Sequence, residues 1–395
     1  MSLVRTLPPA GTVIPGRLLL KGLWGALNPG DARNRLASKI KDYYGTHDVY
    51  LLNSGRAVLT VLLQAMKQAR PHRTEVILPG YTCYSVAAAA VRVGLKVRPV
   101  DIRPDSLDYD PDALDAVDTS NTLALITANL FGIPNDLLRL ESFCQARGIF
   151  MVDDAAQAMH ARVGDRWVGT FGDAGVFSFD KGKNITTIQG GVLLLQNQEL
   201  SEQVGRSVSE LPEPSSRTSA ILIFKLVVYW LFLRPWLYWI PDRLLALGQT
   251  PWEVEYSLSQ FPRRLCSAAL AQISALDLIT ERRRGNATTI QAYLGSEKTC
   301  ACLRPDAYSV FPRLPFLTSS AERRQTILEA TEHLGISKMY PKCLADLKQL
   351  ARFRSNPSED TPGARETAER LVTLPTHGYL REHDLQSLAR ILTGR

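Results

Sequence analysis

The sequence predicts an α/β fold, a mostly parallel sheet covered by helices on both faces, and three observations predict it. Short apolar runs such as VYLLN, EVILP, ALITA, GIFMV and GVFSF recur between helical patterns. Their order, strand then helix then strand, is that of crossover units in a parallel sheet. The runs are mostly apolar, as strands buried on both faces are.

The chain has 395 residues, enough for a large core and two or three units, and its 45% hydrophobic and 22% charged content describes a globular protein. The net charge of +7 permits attraction to phosphate-rich partners without choosing among nucleotide, nucleic acid and anionic lipid. No nucleic-acid module, Walker loop or zinc spacing accompanies it, so neither nucleic acid nor a metal is expected. Cysteines 83, 144, 266, 300, 302 and 343 are scattered and read as reduced thiols of a cytoplasmic protein; Cys300 and Cys302 are too isolated for a metal site. The N-terminus carries prolines and no apolar secretory core.

Residues 1–35 read as an arm, whose apolar segment GRLLLKGLWGAL stops at Asn28-Pro29-Gly30. It packs on its own domain or, as the other reading, on a partner or lipid. A helix follows over 32–44, then the strand VYLLN and the turn Ser54-Gly55-Arg56 into the helical AVLTVLLQAM. First-turn amides there lack intrahelical acceptors and suit an anion. EVILPGYTCYSVAAAAVRVGLKVRPVDI is a strand, a Pro-Gly turn, a helix and a second strand. SLDYDPDAL enters a helix with an Asp cap, ALITANLFGIPND supplies the next strand, and LLRLESFCQARG crosses back.

The centre of the chain is Met151 to Gly191. GIFMV runs into Asp153 and Asp154, a strand delivering carboxylates at its C-terminal end, where α/β enzymes keep chemistry. GVFSF is the next strand, and its loop holds Lys181, Lys183 and Asn184 before Thr186, Thr187 and Gly190-Gly191. A carboxylate and a lysine brought together this way suit a carbonyl-bearing cofactor such as pyridoxal phosphate. The lysine holds it as a Schiff base, and the carboxylate keeps its ring nitrogen protonated.

After the strand GGVLLLQN and a polar helix, residues 219–240 (SAILIFKLVVYWLFLRPWLYWI) gather Tyr229, Trp230, Trp236, Tyr238 and Trp239 around Lys225 and Arg234. The uninterrupted apolar run, Leu226 to Leu233, is too short to span a bilayer core, which takes about 20 residues. Two readings stand: a membrane-interface segment with peripheral contact at the inner face of the membrane, or a buried helical hairpin at a dimer interface. A long helix from about residue 268 carries Arg282, Arg283 and Arg284, read as a solvated face, and the C-terminal segments FPRLPFL, GISKMYP and AERLVTLPTHGYL complete a smaller α/β unit in which His377 is structural.

DDAAQA followed by GTFGDAGVFSFDKGKNITTIQGG resembles the DegT/DnrJ/EryC1/StrS family of pyridoxal-phosphate-dependent sugar aminotransferases. The resemblance covers roughly residues 40–210 and 265–393, and 210–262 departs from it. It implies fold type I: a large domain over 36–265 with a seven-stranded sheet and an aromatic-rich insertion at about 215–250, then a small domain over 266–395. It also implies the site. Lys183 matches the cofactor-holding lysine, Asp154 the partner of the pyridine nitrogen, Gln157 the residue beside the phenolic oxygen, and Ser178 a phosphate ligand. Ser54, Gly55 and Ala57 match the phosphate-binding turn, with Arg56 where a small hydroxyl residue is usual. The ring-stacking position falls on Cys83, leaving Tyr84 or Tyr81 to supply a ring face. Asn129 stands where histidine is frequent, and Gln260, Phe261 and Pro262 replace the phrase that reaches the other subunit's phosphate. Dehydratase relatives replace the lysine with histidine, and Lys183 argues against that branch.

The expected protein is therefore an aminotransferase moving nitrogen from an amino acid, glutamate by analogy, to a keto sugar carried on a nucleotide. Its expected assembly is a homodimer with shared active sites. The alternative acceptor is a lipid-linked or membrane-derived ketone.

Overall fold

The computed structural model describes residues 5–244, 252–295, 304–331 and 333–394. Cys300 and Cys302 and the last residues of the aromatic-rich insertion lie outside them; Cys83, Cys144, Cys266 and Cys343 are free thiols.

Seven strands form the main sheet: β1 (Asp48–Leu52), β2 (Glu75–Pro79), β3 (Lys96–Val100), β4 (Thr122–Ile126), β5 (Phe150–Asp154), β6 (Ala174–Ser178) and β7 (Gly191–Leu195). Their spatial order is β1-β7-β6-β5-β4-β2-β3. β7 runs antiparallel to both neighbours; the rest share one direction. The expected mostly parallel seven-stranded sheet is thus present. Side chains alternate between two cores, as the two-residue strand period requires. Val76 and Leu78 face one with the helices Gly55–Ala69 and Tyr84–Arg92, while Ile77 faces the other with the helix Leu137–Arg147. The turn after β1 and the loops after β5 and β6 therefore meet at one sheet edge.

Local chemistry sets several boundaries. Ser54 caps the Gly55–Ala69 helix by accepting from the Ala57 amide at 3.1 Å, and Asp110 caps the short helix Pro111–Asp115 through the Ala113 amide at 2.9 Å. The helix Leu276–Leu294 leads to a two-stranded antiparallel sheet, β8 (Arg313–Leu317) and β9 (Leu371–Pro375), flanked by the helices Ala321–Ala330, Pro362–Arg370 and Glu382–Thr393.

The apolar segment of the arm is the helix Gly16–Leu27, and it packs on the chain's own helix Arg263–Ile273. Small residues permit the approach: a Cβ on Gly22 would stand 2.8 Å from Ala268 Cα, and one on Gly25 would stand 2.5 Å from Ser267 Cβ. The outer face leaves Leu20, Trp24 and Leu27 exposed.

Residues 216–244 fold as the helices Ser216–Phe232 and Trp239–Leu244, and no helix among the described residues is long and apolar enough to cross a membrane. Most of the aromatic side chains turn inward. Tyr229 accepts from the Thr12 amide at 3.0 Å, Trp230 donates to Ile14 O at 2.9 Å, and Tyr238 is buried. Exposure falls on Ile221, Phe224, Leu231 and Trp236. The arm itself threads between this insertion and the C-terminal unit: Thr6 N bonds Pro235 O, Leu7 N bonds His333 O, and Pro8 O meets His377 Nε2 at 2.8 Å.

The solvated face expected at Arg282–Arg284 is corrected. Arg283 is 2% exposed and donates to Gly11 O and Lys183 O, each at 3.2 Å, while Arg284 stacks over Tyr308 and donates to Ser309 O. Helix periodicity turns one member of a three-arginine run inward, and burial holds the Arg283 guanidinium down at about 10, opposed by Tyr229.

Candidate active site

β5 ends in two carboxylates that the strand period sends opposite ways. Asp153 is fully buried and structural: it accepts from Gly169 N at 2.6 Å and Asn129 Nδ2 at 2.7 Å, and desolvation pushes its carboxyl up to about 6. Asp154 lines a half-open cleft of about 1800 Å³, accepting from the Ala156 amide at 3.0 Å. Burial raises its pKa, while that amide and the charge of Lys183 pull it back toward the ionised form.

Lys183 lines the same cleft from the loop after β6. That loop is pinned from behind, because the Lys183 carbonyl accepts from Thr12 Oγ1 at 2.5 Å and from Arg283 at 3.2 Å. Lys181 is exposed at the rim. Ser178 ends β6 at the cleft wall, opposite the helix start at Ser54, Gly55 and Arg56. Gly191 makes this apposition possible: a Cβ there would stand 2.4 Å from Ser54 O. Arg56 is ion-paired with Glu253 at 2.7 Å and lies over the Tyr256 ring, so its guanidinium is engaged by the 252–257 segment. Gln157 donates to Tyr340 OH at 3.1 Å and accepts from Phe131 N at 3.1 Å.

Cys83 lines the cleft, its sulfur 2.9 Å from Ser85 Oγ. Tyr84 and Tyr81, the proposed ring faces, do not line it. Tyr84 is held by the Lys342 backbone, its hydroxyl donating to the carbonyl at 3.0 Å and accepting from the amide at 2.9 Å, and Tyr81 packs edge-on against Tyr340. Gln260 and Phe261 are also used within the chain: Gln260 takes a bond from Arg33 at 2.6 Å, and Phe261 is buried against Phe179.

Asn129, marked in the sequence as standing where histidine is frequent, ties the acidic pair together, donating to Asp153 Oδ1 and to Asp154 O. Two further contributors escape sequence reading. Pro9 and Ala10 bring the arm to the cleft wall. Arg313 lines the cleft from β8, donating to Ser337 Oγ at 2.6 Å and Thr373 Oγ1 at 2.7 Å. No carboxylate among the described residues pairs with it, its Nε has no partner, and desolvation lowers its pKa to about 10 against nearby Tyr238, Tyr340 and Tyr81. The only sequence signal was a lone arginine in the apolar phrase FPRLPFL.

These residues fit pyridoxal phosphate. A helix start suits its phosphate, a strand-end carboxylate its ring nitrogen, and a cleft-lining lysine its aldehyde.

Comparison with known proteins agrees. The model of the DegT/DnrJ/EryC1/StrS aminotransferase family matches residues 18–209 and 261–393. Two curated relatives are L-glutamine:2-deoxy-scyllo-inosose aminotransferases. The one from Streptomyces kanamyceticus is 33% identical over 52% of this chain and 50% of its own; the one from Micromonospora echinospora is 29% identical over 92% and 81%. The chain thus spans half the length of the first and most of the second. Among solved structures, Helicobacter pylori PseC, an aminotransferase involved in the biosynthesis of pseudoaminic acid, superposes with a TM-score of 0.79 at 17% identity, covering 98% of both chains. The architecture is that of fold type I pyridoxal-phosphate enzymes.

Proposed function

The chain belongs to the DegT/DnrJ/EryC1/StrS aminotransferase family, a pyridoxal-phosphate-dependent family, and from that premise we propose that it transfers the amino group of glutamate or its amide to a keto sugar or related cyclic ketone. The observation that carries the reading is the convergence of Asp154, Lys183 and the Ser54 helix start on one cleft. Glutamine enters because both curated relatives are named for it; a nucleotide-linked acceptor rests on resemblance, supported by the chain's positive charge.

Bound pyridoxal phosphate supplies an aldehyde that takes up the donor's nitrogen and a ring that draws electrons from the donor's α-carbon. Lys183 Nζ would hold the cofactor and would move the proton at the donor's α-carbon. Asp154 would hold the proton on the ring nitrogen. The amides at Gly55 and Arg56, with Ser178, hold the phosphate. Arg313 receives the donor's carboxylate, since a buried guanidinium with only neutral hydroxyl and thioether acceptors lacks a counter-charge. The proposed assembly is a homodimer with shared active sites.

The test is an absorbance spectrum of the loaded protein with glutamate, then with glutamine. The expected result is a band at the visible edge that bleaches with the donor. Lys183→Ala should abolish the band, and Asp154→Asn should keep it while slowing the bleaching by ~100-fold or more. A wild type that forms no such band would sink the reading.

A further inference from the structure

The family model leaves residues 210–260 unmatched, and that stretch builds much of the outer cleft. Leu222, Val228, Phe232 and Leu233 come from the helix Ser216–Phe232 and the turn after it, with Ile240 and Pro241 beyond. Leu328, Ile336 and Met339 face the same space from the C-terminal unit. Its polar neighbours there are Lys225, Tyr229, Tyr238, Asp242, Gln325, Glu329, Ser337 and Lys338. At about 1800 Å³ the cleft of the single chain exceeds the roughly 300–1,000 Å³ of ordinary small-molecule sites, space for an acceptor, and for the partner's residues in the proposed dimer, beside a cofactor and an amino acid.

The apolar lining does not stop at the mouth. Ile221, Phe224, Val228, Leu231 and Phe232 follow at helical spacings of i, i+3, i+7, i+10 and i+11, which places them on one stripe. Val228 and Phe232 line the cleft; Ile221, Phe224 and Leu231 are exposed, Phe224 at 68%. The helix Gly16–Leu27, packed on the same Arg263–Ile273 helix, adds exposed Leu20, Trp24 and Leu27. Between them the helices Gly16–Leu27 and Ser216–Phe232 carry Arg17, Lys21, Arg217 and Lys225 and no acidic residue. An exposed apolar stripe beside basic side chains is the chemistry of an anionic lipid surface, where rings and aliphatic groups enter the interface and cations meet headgroups.

We propose that the acceptor is a ketone carried on a long apolar chain at an anionic membrane surface, the chain lying along the Ile221–Phe232 stripe while its head reaches Lys183. This rests on the aminotransferase reading, and it goes further by assigning the unmatched segment to substrate choice. The stripe's continuity with the catalytic cleft favours this occupant over a second copy of the chain.

The test uses the cofactor-loaded full chain and two probes. Alkyl glucosides from methyl to octyl, below their micelle concentrations, are titrated calorimetrically. Affinity should rise by up to about fourfold per methylene as the chain is buried. Val228→Asp, and more mildly Phe232→Ala, should flatten that dependence. Sedimentation with phosphatidylglycerol and with phosphatidylcholine vesicles is the second arm. The wild type should pellet with the former, and Phe224→Asp should not. Equal affinity for methyl and octyl glucoside would overturn the proposal, as would wild-type protein left in the supernatant with both vesicles. So would a Phe224→Asp variant that splits a dimer yet pellets unchanged. The donor half-reaction, followed in the same preparation, separates the two readings: its loss would overturn the aminotransferase assignment while the binding arms still decide this one.

Discussion

Arg313 illustrates what a single side chain reveals once its surroundings are known. Ionised groups taken from water are retained when something compensates them, and this guanidinium has hydroxyls and a thioether where a carboxylate would stand. Arg313→Gln should raise KM for the amino donor about 10- to 100-fold, the worth of a charge-assisted pair, with a smaller change in kcat. Arg313→Lys should restore part of it; steady-state kinetics at fixed acceptor checks both. An unchanged KM would leave Arg313 as a packing residue. Asp154, Lys183, Gln157 and Ser178, which line the cleft together, stand within one contiguous phrase. Arg313 was not legible in the sequence, because its meaning comes from Ser337 and Thr373, on other segments of the C-terminal unit. Tyr84 misled for the same reason: nothing near it in sequence signals the Lys342 backbone that holds its hydroxyl.

At the scale of elements, the strands were readable because burial on both faces favours apolar runs, which most of β1 to β7 follow; the edge strand β3 (KVRPV) is the exception, with Lys96 exposed and Arg98 half-buried. The insertion was not readable in the same way. Trp and Tyr signal either an interface or a core, and what decides is where their polar tips find partners. Trp230 and Tyr229 find theirs on Ile14 and Thr12, more than 200 positions earlier. The contact between the helices Gly16–Leu27 and Arg263–Ile273 is likewise set by absent side chains. Gly22→Val would force Ala268 away from a 2.8 Å approach. It should destabilise the fold by about 1–3 kcal/mol, read as a lower Tm in thermal unfolding, with the cofactor spectrum of the folded protein unchanged.

For the whole molecule, the joint that matters is between the arm and the C-terminal unit. His377 is buried, donating Nε2–H to Pro8 O and accepting from Tyr379 N at 3.3 Å, and desolvation holds its pKa down at about 4. The folded value lies below the ordinary 6.5, so the unfolded chain takes up this proton first as pH falls. Stability is intact above about pH 6.5 and is lost progressively down to about pH 4, by about 3 kcal/mol in all. Asp153, pushed up to about 6, acts in the opposite sense: its contribution is present at low pH and is lost as pH rises through 6. Urea unfolding at pH 7 and pH 4.5, compared between wild type and His377→Gln, isolates the histidine. The wild type should lose more stability than the variant; equal losses would show that His377 does not titrate in that window.

The arm's route through the molecule also fixes an order of events during synthesis. Thr12 holds the carbonyl of Lys183, and Pro8 on the same arm is held by His377, which a ribosome adds 369 positions after Pro8. At ordinary elongation rates the arm waits on the order of 20–70 s for that partner. The nascent sheet can form in the meantime, but the arm behind the lysine loop is anchored to the C-terminal unit only once His377 has been made. Anchoring of the arm behind the catalytic centre thereby waits on synthesis of the C-terminal unit.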